Sequence, residues 1–428
     1  MTEEFMHYLW KFKLAGVNHE LTSGEPLLIM DPGSHNRDGG PDFFNARVRI
    51  GGTIWAGNVE LHIRSSDWAR HGHQHDDAYG NVILHVVYMD DAKVTDRHGN
   101  PFPTLALNGK VNAHTFGIYQ QLMINRSWIP CAHLVSGVSR MVMTNWLDRM
   151  VAGRFDRKAQ EIEGLLKTNN NDWAGAFYLH LARSFGFKVN AVPFDLLARY
   201  TPLKIIRKHR ENLFQLEALL FGQAGMLSLP HRSRYFLSLK KEYTFLKGKY
   251  NLYAVEPHLW KYLRMRPLNF PTLRIAQFAA LLHRSDSLFG DILGLESPDA
   301  VLELLQARPS DYWNGHYSFK SRSPITEKKL GTHSCHSVII NSVVPFLYTF
   351  GKRKNKPAVV ERSLKFLDQL PAESNSIVDR WKELGVSARS AYISQALIEL
   401  KSRCCARKRC LECAIGNVLM RGEAIHGD

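Results

Sequence analysis

The sequence predicts an N-terminal α/β or α+β unit with a mixed sheet, followed by a large, mostly α-helical region. Three observations lead there. Two β-type apolar runs flank Gly51-Gly52, a further run NVILHVVY follows, and beyond about residue 130 apolar residues recur at three- and four-residue spacing. The 428 residues are enough for two or three domains with cores of their own. A composition of 45% hydrophobic and 22% charged residues belongs to a folded globular chain, not a disordered one.

In chain order, residues 3–14 have helical periodicity, with Phe5, Tyr8, Leu9 and Phe12 on one side. Residues 27–30 form a short strand ending in Asp31-Pro32-Gly33. Residues 43–50 and 53–63 make a hairpin around the two glycines. Residues 81–88 are apolar enough for a central strand, and 102–107 add another after a turn at His98-Gly99-Asn100. Helices are expected over 140–167, 173–185, 193–200, 204–222, 235–249, 274–283, 358–370 and 388–403. Gly186, Gly222, Pro230, Pro267 and Pro271 punctuate them. The changes of pattern suggest an α/β domain at 1–130, a basic helical domain at 131–300 and a helical region carrying cysteines at 301–428.

With 55 Lys and Arg against 40 Asp and Glu, the formal charge is +15. That surplus suits a polyanionic partner, nucleic acid first. It is concentrated between Thr201 and Ala280, where 14 basic residues face four acidic ones. Lys204, Arg207, Lys208 and Arg210 share a helix face; Lys240, Lys241, Lys247 and Lys249 follow, then Arg264, Arg266 and Arg274. Such faces can hold a phosphate backbone, and Tyr312, Trp313, His316, Tyr317 and Phe319 are either core or a stacking platform for bases. The start MTEEFMHYLWKF is acidic where a secretory leader would be basic, and the run from Val338 to Val344 is too short to span a bilayer. No membrane association and a cytoplasmic location are therefore expected. Six cysteines in that compartment are thiols or metal ligands, not disulfides.

The chemistry-bearing residues begin with Asp42, at the start of one hairpin strand, and Glu60, near the end of the other. A two-residue turn at Gly51-Gly52 leaves Asp42 opposite Leu61; a three-residue loop, or one bulge near Ala56-Gly57, brings it opposite Glu60 on the same face. Converging carboxylates are hard oxygen ligands for Mg²⁺ or Mn²⁺, which would polarise a phosphodiester and activate water. His62 points to the same face as Glu60 and can orient or deprotonate that water. His71, His73, His75 and Asp76 form a second cluster, which reads as a solvated loop unless its ligands converge as in a transition-metal hydrolase. His35 and Asp38 can join either group. His85 is a core histidine or a neighbour of His62, and Arg64 and Arg70 are candidate phosphate contacts.

The runs PGSHNRDGGPDFFNARVRI and WAGNVELHIRSSDWARHGHQHDDAYGNVILHVVY resemble the signature of DUF2851, an uncharacterised bacterial family widespread in Bacteroidetes. The resemblance continues through HRENLFQLEALLFGQAGML, RMRPLNFPTLRIAQFAALL and RKRCLECAIGNVL. A more distant resemblance is to the PD-(D/E)xK nuclease superfamily. Asp42 and Glu60 match its two acids, while His62 stands where that pattern has Lys. This resemblance implies a restriction-endonuclease-like core and metal-dependent cleavage of nucleic acid, with DNA the expected form. It also implies an acid from the first helix, for which Glu4 is preferred over Glu3 and Glu20. The departure at His62 leaves open a catalytically inactive nucleic-acid-binding or assembly protein on the same core.

Cys405, Cys410 and Cys413 lie within a few turns of one another near the C-terminus, with Cys404 beside them. Together with the distant Cys131 they could bind Zn²⁺ or an iron–sulfur cluster, or remain packed thiols.

Overall fold

The computed structural model describes residues 1–96 and 99–422, so His98 of the expected turn lies outside the described residues. The chain divides into two compact units, Met1–Trp146 with Leu400–Asp428, and Leu147–Glu399. The sequence pattern had suggested three consecutive segments. Within the first unit the helix Ala414–Arg421 packs against a helix at Ala113–Ile124.

The first unit opens with helix α1 (Glu3–Lys11), whose Thr2 side chain caps the Phe5 N–H. Seven strands follow: β1 (Asn18–Glu20), β2 (Pro26–Asp31), β3 (Ser34–His35), β4 (Phe43–Ile50), β5 (Thr53–Arg64), β6 (Val82–Met89) and β7 (Thr104–Ala106). They form one sheet in the order β1-β2-β4-β5-β6-β7, with β3 beside β4. Pairing is antiparallel as far as β5 and parallel from β5 to β7. The sheet is therefore mixed, as expected. The change of sense follows from the connections: Gly51-Gly52 is a tight turn, whereas residues 65–81 form a crossover carrying the short helix α2 (Asp67–Arg70). Met6 and Trp10 of α1 pack on Phe43, Val48, Val59, Leu61, Leu84 and Val86. Because side chains alternate along a strand, Glu60 and His62 of β5 face away from that core.

The register of β4 against β5 decides whether the two acids meet. The turn has two residues, pairing Ile50 with Thr53, yet further along Phe43 pairs with Val59. A bulge supplies the extra residue. It lies at Phe44–Asn45 in β4, not near Ala56-Gly57, and Asn45 adopts a left-handed φ of 57°. Gly33 makes this possible: at φ 83°, an added Cβ would come within 2.4 Å of the Phe44 carbonyl oxygen.

The second unit is helical. The expected helix over 204–222 is two helices, Leu203–His209 and Leu213–Gln223, because the Asn212 side chain caps the latter through the Gln215 N–H. Five π-helical residues, Ile339–Val343, interrupt the apolar run near 338–344. Among the described residues no helix is long and apolar enough to cross a membrane.

Candidate metal centre

The bulge brings Asp42 and Glu60 together. The Asp42 N–H donates to Glu60 Oε2 at 3.0 Å, and the Leu61 N–H donates to Asp42 Oδ2 at 2.9 Å. Glu60 is buried and Asp42 is partly exposed. Burial, with the Asp42 charge beside it, raises the Glu60 carboxyl to a pKa of about 8.

Glu3 of α1 also acts electrostatically on Glu60, whereas Glu4, the preferred candidate on sequence, is exposed. The helix contributes another group that sequence reasoning passed over. His7 Nε2 lies 3.1 Å from Asp42 Oδ2. Its signal was available: His7 follows Glu3 by four residues and so shares its helix face.

The histidines expected to sit in a solvated loop instead converge. Gly72, at φ 75°, turns the chain so that His71 and His73 both reach back to β5. The ligand nitrogens of His62, His71 and His73 all lie within 4.8 Å of one another. His62 Nε2 is 3.2 Å from His71 Nδ1, while Glu60 Oε1 is 3.6 Å from His62 Nε2 and 3.4 Å from His73 Nε2. A tetrahedral ion with ligands at about 2.0–2.1 Å has ligand–ligand edges of about 3.3–3.4 Å. The three distances lie near that value, and the group whose ligand atoms are all mutually within 4.8 Å is His62, His71 and His73, without Glu60.

Tautomers sharpen the fit. His62 Nδ1 and His85 Nε2 are 2.8 Å apart, so one of them donates. With His62 as donor, its Nε2 carries a lone pair toward His71, His73 and Glu60, the state a cation requires. The fully buried His85 then has an Nδ1 with no hydrogen-bond partner. Burial and neighbouring imidazoles lower His62 and His85 to about 3 and lower His73 as well, keeping the rings neutral. Trp68 and Tyr79 wall the cluster, with Tyr79 stacked on His73 at 3.9 Å.

Other expected members stay out. His35 stacks on Phe43 and lies near His7, Asp38 is exposed, and His75 and Asp76 are exposed. Arg70 pairs with Asp67 at 2.8 Å, and Arg64 is exposed.

A family model described as a protein of unknown function, DUF2851, matches residues 3–376. The chain belongs to this family. No curated protein and no solved structure matches it. The likeness to PD-(D/E)xK nucleases remains a reading of Asp42, Glu60 and His62.

In this DUF2851 chain all six cysteines are free and buried. Cys131, Cys405, Cys410 and Cys413, with Cys404, gather in the first unit. No three of their sulfurs lie within 4.8 Å of one another among the described residues, so the tight shell of a single zinc ion is not formed. In the basic region Lys204, Arg207, Lys208, Lys240, Lys241, Lys247, Lys249, Arg264 and Arg266 are exposed. Arg274 is not part of that surface: it is buried, bonded to Gln277, Asn269 and Ser334. Trp313 is fully buried, whereas Tyr312, His316, Tyr317 and Phe319 are half-buried, with Tyr312 stacked on both Tyr235 and His316.

Proposed function

We propose that this protein is a metal-dependent hydrolase of phosphodiesters in nucleic acid, DNA in the first instance. The convergence of His62, His71 and His73 with Glu60 beside the half-open Asp42 carries the reading. Imidazoles suit first-row transition metals better than Mg²⁺, so of the two cations the acids suggested, Mn²⁺ fits this donor set, and Zn²⁺ fits it equally. When bound, such an ion would polarise a phosphoryl oxygen and lower the pKa of its water.

The chain's own residues do the rest. His85 fixes the His62 tautomer, Trp68 and Tyr79 exclude bulk water, and Asp42, partnered by His7, accepts a proton at Oδ2. The exposed lysines of the helical unit provide charge for a phosphate backbone. A cytoplasmic location accords with the free thiols.

The test is cleavage by the full chain of single-stranded, duplex and branched DNA, and of RNA, with Mn²⁺, Zn²⁺ or Mg²⁺. Activity should require metal and disappear in folded Asp42→Ala and Glu60→Ala variants. Full cleavage by both would remove the assignment. A second reading rests on Glu60 itself: as a permanent fourth ligand it closes the shell, leaving a structural ion in a catalytically inactive nucleic-acid-binding or assembly protein. Salt-sensitive DNA binding without turnover on any substrate would favour it.

A further inference from the structure

We propose that Cys131, Cys410, Cys413 and one of the adjacent pair Cys404 and Cys405 are ligands of an iron–sulfur cluster, an inorganic site of soft sulfur donors distinct in chemistry from the histidine centre. Five of the chain's six cysteines are buried in one place, supplied by two segments more than 270 residues apart in sequence. Hydrogen bonds from Lys401 and Lys408 to the Trp128 and Met123 carbonyls bring the two segments side by side, and Cys131 and Cys404 act electrostatically on Cys405, Cys410 and Cys413. None of them forms a disulfide.

Their spacing is wider than the shell of a single bound ion. A zinc tetrathiolate with bonds of about 2.3 Å has sulfur–sulfur edges of about 3.8 Å. No three of these sulfurs lie within 4.8 Å of one another, and an iron–sulfide core holds its thiolates further apart than a single ion does.

The surroundings are shaped to hold thiolate. Cys413 is the N-cap of the helix Ala414–Arg421, and the backbone N–H groups of Gly416 and Ile415 at that helix start favour its thiolate, although burial raises its pKa overall. Gly416 has no side chain because none would fit. A Cβ there would come within 2.2 Å of the Cys410 carbonyl oxygen, so the glycine lets the Cys410 turn close over the helix. Lys408, at φ 51°, reverses the chain between the turns Cys405–Arg407 and Cys410–Glu412. Its side chain donates to the Met123 carbonyl, and Lys401 donates to the Trp128 carbonyl at 2.5 Å, tying the tail to the segment that carries Cys131. The Lys408 charge also favours the Cys410 thiolate. Without a metal, burial keeps Cys131 and Cys410 protonated, near 11 and 12. Loading from an iron–sulfur carrier exchanges the carrier's ligands for four thiols of this chain. Each releases one proton to solvent, and no electrons are transferred.

The experiment uses the full chain produced with iron and purified without oxygen. The expected result is about four iron and four acid-labile sulfide per chain with visible charge-transfer absorption. Cys131→Ala, Cys410→Ala and Cys413→Ala should each remove the absorption, as should one of Cys404→Ala and Cys405→Ala, while Cys335→Ala and His71→Ala keep it. Folded wild-type protein without iron and sulfide, one equivalent of zinc in their place, or full absorption in Cys131→Ala would each overturn the proposal. The wild-type content decides the matter even where a variant does not fold.

Discussion

The two units bury ionisable side chains in different ways. In the helical unit the buried groups are held mainly by neighbouring donors and acceptors, although Arg154 Nη1, Arg274 Nε and Arg362 Nε have no hydrogen-bond partner. The Arg274 guanidinium donates to Gln277 at 3.0 Å and to Ser334 at 2.9 Å, Glu217 accepts from Tyr235 and Ser310, and the Lys328 ammonium donates to the Trp313 carbonyl at 2.9 Å. In the sheet unit Glu60, His62, His71 and His73 bring their polar atoms together round one point, Glu60 Oε1 lying 3.6 and 3.4 Å from His62 and His73 and His62 Nε2 3.2 Å from His71 Nδ1. Burial of charge alone is therefore a poor marker of a site. Convergence of several metal-ligating atoms on one point is a better one, because that is what binding a cation requires.

The most direct way to break this contrast is to remove ligands. His62→Ala, His71→Ala and His73→Ala should each lower Mn²⁺ or Zn²⁺ affinity beyond the roughly 10–100-fold that loss of an outer partner costs, and His85→Phe should fall within that range. Calorimetric titration of metal into the full chain measures both. Equal affinity in His71→Ala and wild type would show that the nitrogens converge without binding.

Much of the sheet was legible. The strand at 43–50 is as the periodicity predicts, and β5 and β6 differ from expectation by one residue at their ends. The site was legible in parts. The alternation of β5 placed Glu60 and His62 on one face, but the union with Asp42 hung on a single inserted residue, whose cause is Gly33, nine residues upstream of Asp42. Local patterning does not record such a contact. His71 and His73 looked solvated because RHGHQHDD has the polarity of a loop; their convergence depends on the left-handed turn at Gly72 and on a parallel crossover that returns the chain beside β5. The helix over 204–222 misled for another reason: Asn212 is a weak break in a periodic sequence until its side chain is seen capping.

Gly33→Ala tests the bulge. The new methyl meets the Phe44 carbonyl in a left-handed backbone, which should cost about 1–3 kcal/mol. Chemical denaturation reads the loss, and metal affinity should fall with it because Asp42 and Glu60 lose register. Gly39→Ala, with nothing within 4 Å of its added Cβ, is the control.

The pH dependence of the metal-free sheet unit has a definite sign. His62 and His85 titrate near 6.5 unfolded and near 3 folded, so their contribution is complete above pH 6.5 and is lost as pH falls. Glu60 titrates near 4.5 unfolded and about 8 folded, so its contribution is lost as pH rises through that window. From 4.5 to 6.5 the unfolded chain holds two of these protons and the folded chain one, and stability rises by about 1.4 kcal/mol per pH unit. From 6.5 to 8 the balance reverses and it falls at about the same rate. Amide exchange in β5 and β6 under chelation should therefore show greatest protection near pH 6.5. Added metal should remove the fall above it by drawing Glu60 into its ionised form.

The smallest effect belongs to the helical unit. Burial raises the Glu217 carboxyl although three donors, the Tyr235 hydroxyl and the Ser310 hydroxyl and N–H, hold it. A carboxyl raised on folding favours the native state at low pH and loses that advantage as pH climbs from its unfolded value of 4.5 through its folded one. Glu217→Gln keeps the shape and an acceptor oxygen but cannot ionise. It should change stability by less than about 1 kcal/mol near pH 5, since the neutral groups are nearly isosteric. Toward pH 8 it should gain on the wild type, flattening the helical unit's pH profile and leaving metal affinity untouched. A large loss at every pH would mean that the carboxylate itself is required there.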